Sequence, residues 1–272
     1  MWTKTVALLR STHPLPSISV ASFAVLYGFG IGLEPQQLVL VGLAVLSQQF
    51  SVGLSNDWLD ASRDKEVNRL DKPVAQGAIS LSVVKAASYA SGAIALAISA
   101  AMGLGTLLWM VPMLAIGWTY NLWLKSNALS VVPYLIGFGI LPAFVTLSGT
   151  DPAFPPFWVF IVSALFGVAA HFANALPDLL DDKRTGVNAL PHILGQRTSA
   201  LVIAVAACSA SLLLVSQSEN LNPALALGGL GLTIVLSFLA SALSLAPKPP
   251  RLVFYLLLVA SLVNVLLLML GL

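Results

Sequence analysis

Two stretches of this chain carry carboxylates at a repeated spacing. SNDWLDASRDKEVNRLDKPVAQG, residues 55–77, holds Asp57, Asp60, Asp64, Glu66 and Asp71 beside Arg63, Lys65, Arg69 and Lys72. Those are nine of the 24 charged residues (13 basic plus 11 acidic) in the whole protein of 272. NALPDLLDDKRTGVNALPHILG, residues 174–195, holds Asp178, Asp181, Asp182, Lys183 and Arg184. A shift of 118 places Asn56 on Asn174, Asp60 on Asp178, Asp64 on Asp182, Lys65 on Lys183, Pro73 on Pro191 and Gly77 on Gly195. Both stretches read N-x3-D-x3-D-K-x7-P-x3-G without a gap. A lone D-x3-D would be an ordinary polar loop; six matches in register point to an internal pseudo-repeat, a symmetry that often sets a site between its halves.

The spacing has chemical content. Helical residues four apart share a face. Asn56, Asp60, Asp64 and Asn68 therefore form one stripe, and Asn174, Asp178 and Asp182 another. Facing carboxylates repel unless a cation lies between them. Their density suits Mg2+, a hard ion that takes a few carboxylates, keeps waters and shares substrate phosphates. The one-three-five ligand spacing of an EF-hand is missing. Lys65, Arg69, Lys72, Lys183 and Arg184 sit among the acids, and basic groups plus metal are how proteins hold phosphates and stabilise a departing one. Both signs at one place fit a metal-bridged diphosphate; a purely basic patch would fit lipid headgroups. Arg63 and Arg69 serve equally well as topology-setting residues at a membrane interface.

What positions these residues is greasy. The chain is 58% hydrophobic and 9% charged, against roughly 25% charged in a soluble domain. Eight stretches lack any charge: 11–33, 35–56, 86–124, 126–150, 152–177, 198–218, 220–247 and 252–272. A helix needs roughly 20 residues to cross the hydrocarbon. The stretch 86–124 has Gly103 and Gly105 near its middle and divides into two, so the sequence predicts an all-α polytopic bundle of nine transmembrane helices, one domain over 1–272. With nine spans, all 13 basic residues fall at the N-terminus and in the even-numbered loops. The odd loops hold only Glu34, Asp151 and Glu219. The positive-inside rule then places the N-terminus and both Asp-rich loops in the cytoplasm and the C-terminus outside. Residues 11–33 read as the first span rather than a cleaved signal. Cys208 is alone, so no intrachain disulfide forms. Asn264, inside the ninth span, suits a hydrogen bond between helices. The net charge of +2 says little about partners; no nucleic-acid partner is expected, and the composition suits a prokaryotic cell membrane.

N-D-x2-D-x3-D at 56–64, followed by K-P-V-A-Q-G at 72–77, resembles the first motif of the UbiA superfamily of intramembrane prenyltransferases. Asp178-x3-Asp182 with Asp181 resembles the second, and the resemblance covers nearly the whole chain. It implies Mg2+ held by Asn56, Asp57, Asp60 and Asp64 on one side and Asp178, Asp181 and Asp182 on the other, with Asp60, Asp64, Asp178 and Asp182 as the catalytic carboxylates. A prenyl diphosphate would lie with its tail in the bundle, ionise to an allylic cation and be captured by a small-molecule acceptor, often an aromatic ring, sometimes a glycerol or sugar phosphate. Lys72 stands where the family usually has Arg before Pro, which keeps the charge but not the bidentate fork. TYNLWLK at 119–125 resembles the family's Tyr-and-Lys segment, which makes Tyr120 and Lys125, with Lys65, Lys72 and Lys183, diphosphate-side candidates. RSTHP at 10–14 resembles an altered Arg-x-Pro start of the first span.

Apolar helices around such a site would exclude water and protect the cation, and aromatic faces would stabilise it; Phe50, Trp118, Tyr120, Phe138, Phe166 and Phe172 are in question. His171 and Asn174, polar and in the sixth span, are candidates for the acceptor or prenyl pocket. Two rivals remain open. A terpene cyclase of the same superfamily would use the same trigger without an acceptor. An ion or lipid transporter would also use acidic coordination sites, but would set them near the membrane midplane. Oligomeric state is not legible.

Overall fold

The computed structural model describes residues 3–179 and 186–271. Among these, nine long helices follow the charge-free stretches. After a short amphipathic α1 (Lys4–Ser11) come α2 (Pro14–Gly30), α3 (Pro35–Leu59), a one-and-a-half-turn α4 (Ala61–Glu66), α5 (Leu81–Met102), α6 (Leu104–Leu122), α7 (Val132–Thr146), α8 (Phe157–Ala175), α9 (Leu190–Gln217), α10 (Pro223–Ser244) and α11 (Leu252–Gly271). Six of them are long and apolar enough to cross a membrane: α3, α5, α8 with its following turn, α9, α10 and α11. Helix is the element that satisfies its own backbone in an apolar setting.

Local signals set the boundaries. Proline opens α2, α3, α7, α9 and α10 within their first two positions, where its missing N–H costs nothing. Glu34 and Gln37 form a reciprocal cap on α3, and the Asn222 side chain accepts from the N–H groups of Ala224 and Leu225 at the start of α10. Gly103, at φ 141°, makes the whole connection between α5 and α6, as its place in the 39-residue stretch suggested.

Each long helix packs on its chain neighbours, α3 also lies along α6, and α11 returns to α2, so the bundle closes on itself. The core is built of Phe144, Phe172, Met110, Leu54, Ile203 and Leu214 between runs of small residues such as Ala206, Ala207 and Ala210, which let helix backbones approach closely. Asn264 donates to Thr233 Oγ1 at 2.8 Å across α10 and α11.

Both acidic stretches begin as helix and then leave it. The α3 helix ends at Leu59, Asp60 turns the chain into α4, and Asn68 takes a left-handed φ of 54°. Asp64 N still bonds Asp60 O at 2.8 Å, so Asn56, Asp60 and Asp64 keep their common face. Asn68 does not continue it, because the left-handed residue turns an exposed loop instead. After α8, Pro177 sits in a single tight turn over Leu176–Asp178. Left-handed residues recur at the same offset of 118: Asn68 with Gly186 (φ 77°), and Gly77 (φ 68°) with Gly195 (φ 77°). Gly195 kinks α9 one turn after its start.

Gly53 fixes the corner between α1 and α2 on α3. A Cβ there would lie 2.6 Å from the Thr12 carbonyl oxygen and 3.4 Å from the His13 ring. Backbone cannot rotate away as a side chain would. Gly53→Ala is expected to cost about 1–3 kcal/mol through overpacking, read as a lowered Tm in detergent.

Candidate active site

The ends of α3 and α8 meet the N-terminal corner, the turn after α6 and the start of α11 at one end of the bundle. Between them lies a polar cavity of about 600 Å³. Asn56, Asp57, Asp60 and Asp64 reach it from α3 and α4, and Asn174 and Asp178 from α8 and its turn. Arg10, His13, Lys72, Lys125 and Arg251 line it from four other segments.

Asp57, Asp60 and Asp64 are nearly dry, and most acids of the mouth are neutralised in place. Asp57, 2% exposed, accepts from Lys72 Nζ at 2.7 Å and faces His13 Nε2 at 3.1 Å through the same oxygen. Lys72 also donates to Asn56 Oδ1 at 3.3 Å. Asp60 takes Arg63 at 2.8 Å on one oxygen and Lys125 on the other, and Asn56 donates to it at 3.1 Å. Burial pulls the Lys125 ammonium below its ordinary range against the opposing pull of Asp60. Arg69 grips both oxygens of Asp71 at 2.9 and 3.0 Å and reaches Asp178 at 3.2 Å. That fork raises the Arg69 guanidinium and, with Arg251 at 2.8 Å, holds Asp71 well below the usual carboxylate range.

Asp64 stands apart. It is 4% exposed, its Oδ2 is buried without a partner, and among the described residues no cation pairs with it. Burial pushes its carboxyl pKa up. The oxygens of Asn56, Asp60, Asp64 and Asp178 are the donors a hard divalent cation takes. Among the described residues no three His, Cys, Asp or Glu converge on one point.

The polar cavity opens inward to a chamber of about 250 Å³ between α2, α3, α6, α7, α8 and α11. His13, Asn56, Tyr120, Asn174 and Phe254 line both. Phe23, Met113, Phe138, Leu141 and Phe166 wall the deeper part. Tyr134 meets Tyr120 edge-on at 5.3 Å. This gives a charged mouth on an apolar, aromatic sac.

The sequence-chosen residues are placed as follows. Asn56, Asp57, Asp60, Asp64, Lys72, Tyr120, Lys125, Asn174 and Asp178 all line the mouth. Lys65 is exposed on α4 and does not line it. Asp181, Asp182 and Lys183 lie outside the described residues. Asp57 gives one oxygen to Lys72 and His13, so half of this metal candidate is taken up by side chains of the chain itself. His171 is 1% exposed, borders the mouth and contacts Ser130 Oγ through Nε2 at 3.0 Å. Among the aromatics, Tyr120, Phe138 and Phe166 line the chamber, whereas Phe172 is core and Trp118 faces an outer groove with Tyr89. Arg251, Asp71 and Arg10 were not singled out; sequence separations of 180 residues for Arg251 and Asp71 carry no local signal.

The chain belongs to the UbiA prenyltransferase family, whose model matches residues 17–262, and with its six long apolar helices it is an integral membrane protein. No curated protein matches it. Its fold is similar to that of an apo UbiA homologue from Aeropyrum pernix K1 (TM-score 0.77, 20% identity, 91% of this chain and 94% of that one). It is similar to a UbiA homologue from Archaeoglobus fulgidus bound to GPP and Mg2+ (TM-score 0.72, 19% identity, 96% and 97%). A third likeness is to a digeranylgeranylglyceryl phosphate synthase (TM-score 0.68, 18% identity, 98% and 96%).

The Lys72–Asp57 pair is buried, and removing one partner of such a pair commonly costs about 3–5 kcal/mol. Lys72→Met is expected to lower Tm strongly, and Asp57→Asn added to it to restore most of the loss. Equal Tm values for the single and double variants would show that the pair is not what holds the mouth.

Proposed function

We propose that this protein transfers a prenyl group from a prenyl diphosphate to a small-molecule acceptor within the membrane. The observation that carries the reading is Asp64: a buried carboxylate with no cation paired to it among the described residues, in a mouth crowded with basic groups, above an apolar chamber. The Archaeoglobus homologue bound to GPP and Mg2+ supports the same assignment. Asn56, Asp60, Asp64 and Asp178 would hold Mg2+, with Asp181 and Asp182 from the second motif. Bound there, the ion would neutralise the diphosphate and assist its departure.

The chain's own residues do the rest. Lys125, Arg69 and Lys72 bring positive charge to the diphosphate oxygens where negative charge grows. The C1–O bond breaks with its electron pair leaving on the diphosphate. The chamber keeps water from the allylic cation, and Tyr120, Phe138 and Phe166 offer π faces to it. The acceptor supplies the electron pair for the new bond to C1 and releases a proton. Acids gathered at one end of the bundle, paired with basic residues, speak against a transporter with midplane sites.

The reading includes one domain with nine spans and its mouth in the cytoplasm. Lys125 on Asp60, Arg69 on Asp178, Arg251 on Asp71 and His13 beside Asp57 bring the N-terminal corner and the four even-numbered loops to one end, which supports that parity. The paired left-handed residues at Asn68/Gly186 and Gly77/Gly195 support the pseudo-repeat. Single cysteines at Asp71, Gly186 and Asp151 in a Cys208→Ser background should label from one side at the first two positions and from the other at the third. Same-side labelling of all three would overturn the span count.

Groups acting as a unit are strongly non-additive. Asp64→Asn, Asp178→Asn and the double variant are therefore expected to share near-background turnover of geranyl diphosphate. In the metal-free protein Asp64→Asn should raise Tm at pH 7: the folded carboxyl pKa is raised, so its ionised form opposes folding above the unfolded value of about 3.9. Stabilisation of the Asn variants by Mg2+ plus diphosphate equal to that of the parent would remove these carboxylates from the metal site. A hydrocarbon released from the diphosphate alone would mark a cyclase instead.

A further inference from the structure

One face of α3 runs from the mouth into the chamber through Asp60, Asn56, Val52 and Gln49. The first two meet charge and diphosphate in the reading above. Gln49 has no such reason to be there. It lies seven residues from Asn56, about 10 Å deeper along the helix, among Val20, Phe23, Met113 and Leu141.

Its neighbour explains part of the arrangement. Gln48 is 4% exposed and donates through Nε2 to the Met113 carbonyl of α6 at 3.1 Å. Its Oε1 accepts from Gln49 Nε2 at 2.8 Å. Gln48 is therefore a tie between α3 and α6 with both ends of its amide engaged. The bond from Gln49 fixes which way that second amide points. One Gln49 N–H and its carbonyl oxygen then have no partner among the described residues. Gln49 is half-buried and lines the chamber, so these free amide groups are open to whatever fills it. A leucine would line the same wall and offer no hydrogen bond. A prenyl tail contains only carbon and hydrogen, so it gives the amide nothing to bind.

We infer that Gln49, oriented by Gln48, recognises the acceptor by hydrogen-bonding a ring hydroxyl or carbonyl oxygen two helical turns below the mouth. The inference rests on the prenyltransferase reading and narrows it. The acceptor is a flat ring compound that shares the chamber with the prenyl tail, its reacting atom toward the mouth and an oxygen at its far end. A glycerol or sugar phosphate would keep its polar groups at the mouth and leave Gln49 unmet.

The test uses the full chain in detergent and two probes of equal shape, 2-naphthol and naphthalene. Dissociation constants are measured for the parent and for Gln49→Leu, with Gln49→Met as a second variant should the first fail to fold. The parent is expected to bind 2-naphthol at least about tenfold more tightly than naphthalene, the worth of one well-made hydrogen bond. The variant is expected to bind both alike. Comparison of ratios cancels partition into micelles. An unchanged ratio in the variant, or no preference in the parent, overturns the proposal. Stabilisation by Mg2+ plus geranyl diphosphate is measured beside it and should be equal in parent and variant. If the parent shows none, the transferase reading fails. If that stabilisation is present and the ratio does not move, only the role of Gln49 fails.

Discussion

Carboxylates taken out of water must be met by positive charge, and most features of this protein follow from that requirement. Ionised groups lose several kcal/mol of hydration when buried in a low-dielectric interior. Asp57, Asp60, Asp71 and Asp178 each have a cation at hydrogen-bond distance. Those cations come from the loop after α4, the turn after α6 and the start of α11. The pairs therefore stitch together segments that apolar packing alone would leave free to slide. The mouth is held together by its own electrostatics, and among the described residues Asp64 is the place where that neutralisation stops.

The apolar half has the complementary problem. Helices that pack on lipid as readily as on each other need close approach to stay together, and small residues supply it. Gly53 admits the Thr12 carbonyl, and Gly167 lets α8 come so near α7 that a Cβ would sit 2.6 Å from the Tyr134 carbonyl oxygen. These approaches leave the chamber as the volume the bundle does not fill. Its walls come from six helices, so no single helix defines its shape.

Much of this is legible in the chain, and the reasons for the rest are physical. Helix positions are legible because absence of charge over 20 or more residues has one structural solution in lipid. The Asp60–Asp64 face is legible because i,i+4 spacing is local. The loss of Asn68 from that face is not, since it depends on a left-handed turn that nothing in N-x3-D-x3-D demands. Lys65 looked equivalent to Lys72 by composition, yet one points to solvent and the other is buried against Asp57. Their difference is set by where α4 ends. Partners such as Arg69 with Asp178, 109 residues apart, are created by folding and leave no mark on spacing. Gln48 and Gln49 read as unremarkable helix residues until the Met113 carbonyl and the chamber wall are in place.

The return of α11 onto α2 has a consequence for biogenesis. Phe254, Leu257 and Leu258 form part of the chamber wall, and Arg251 secures Asp71 at the mouth. Until α11 has joined the bundle the sac lacks that wall and stands open on one flank, so the site is complete only once α11 has packed against α2.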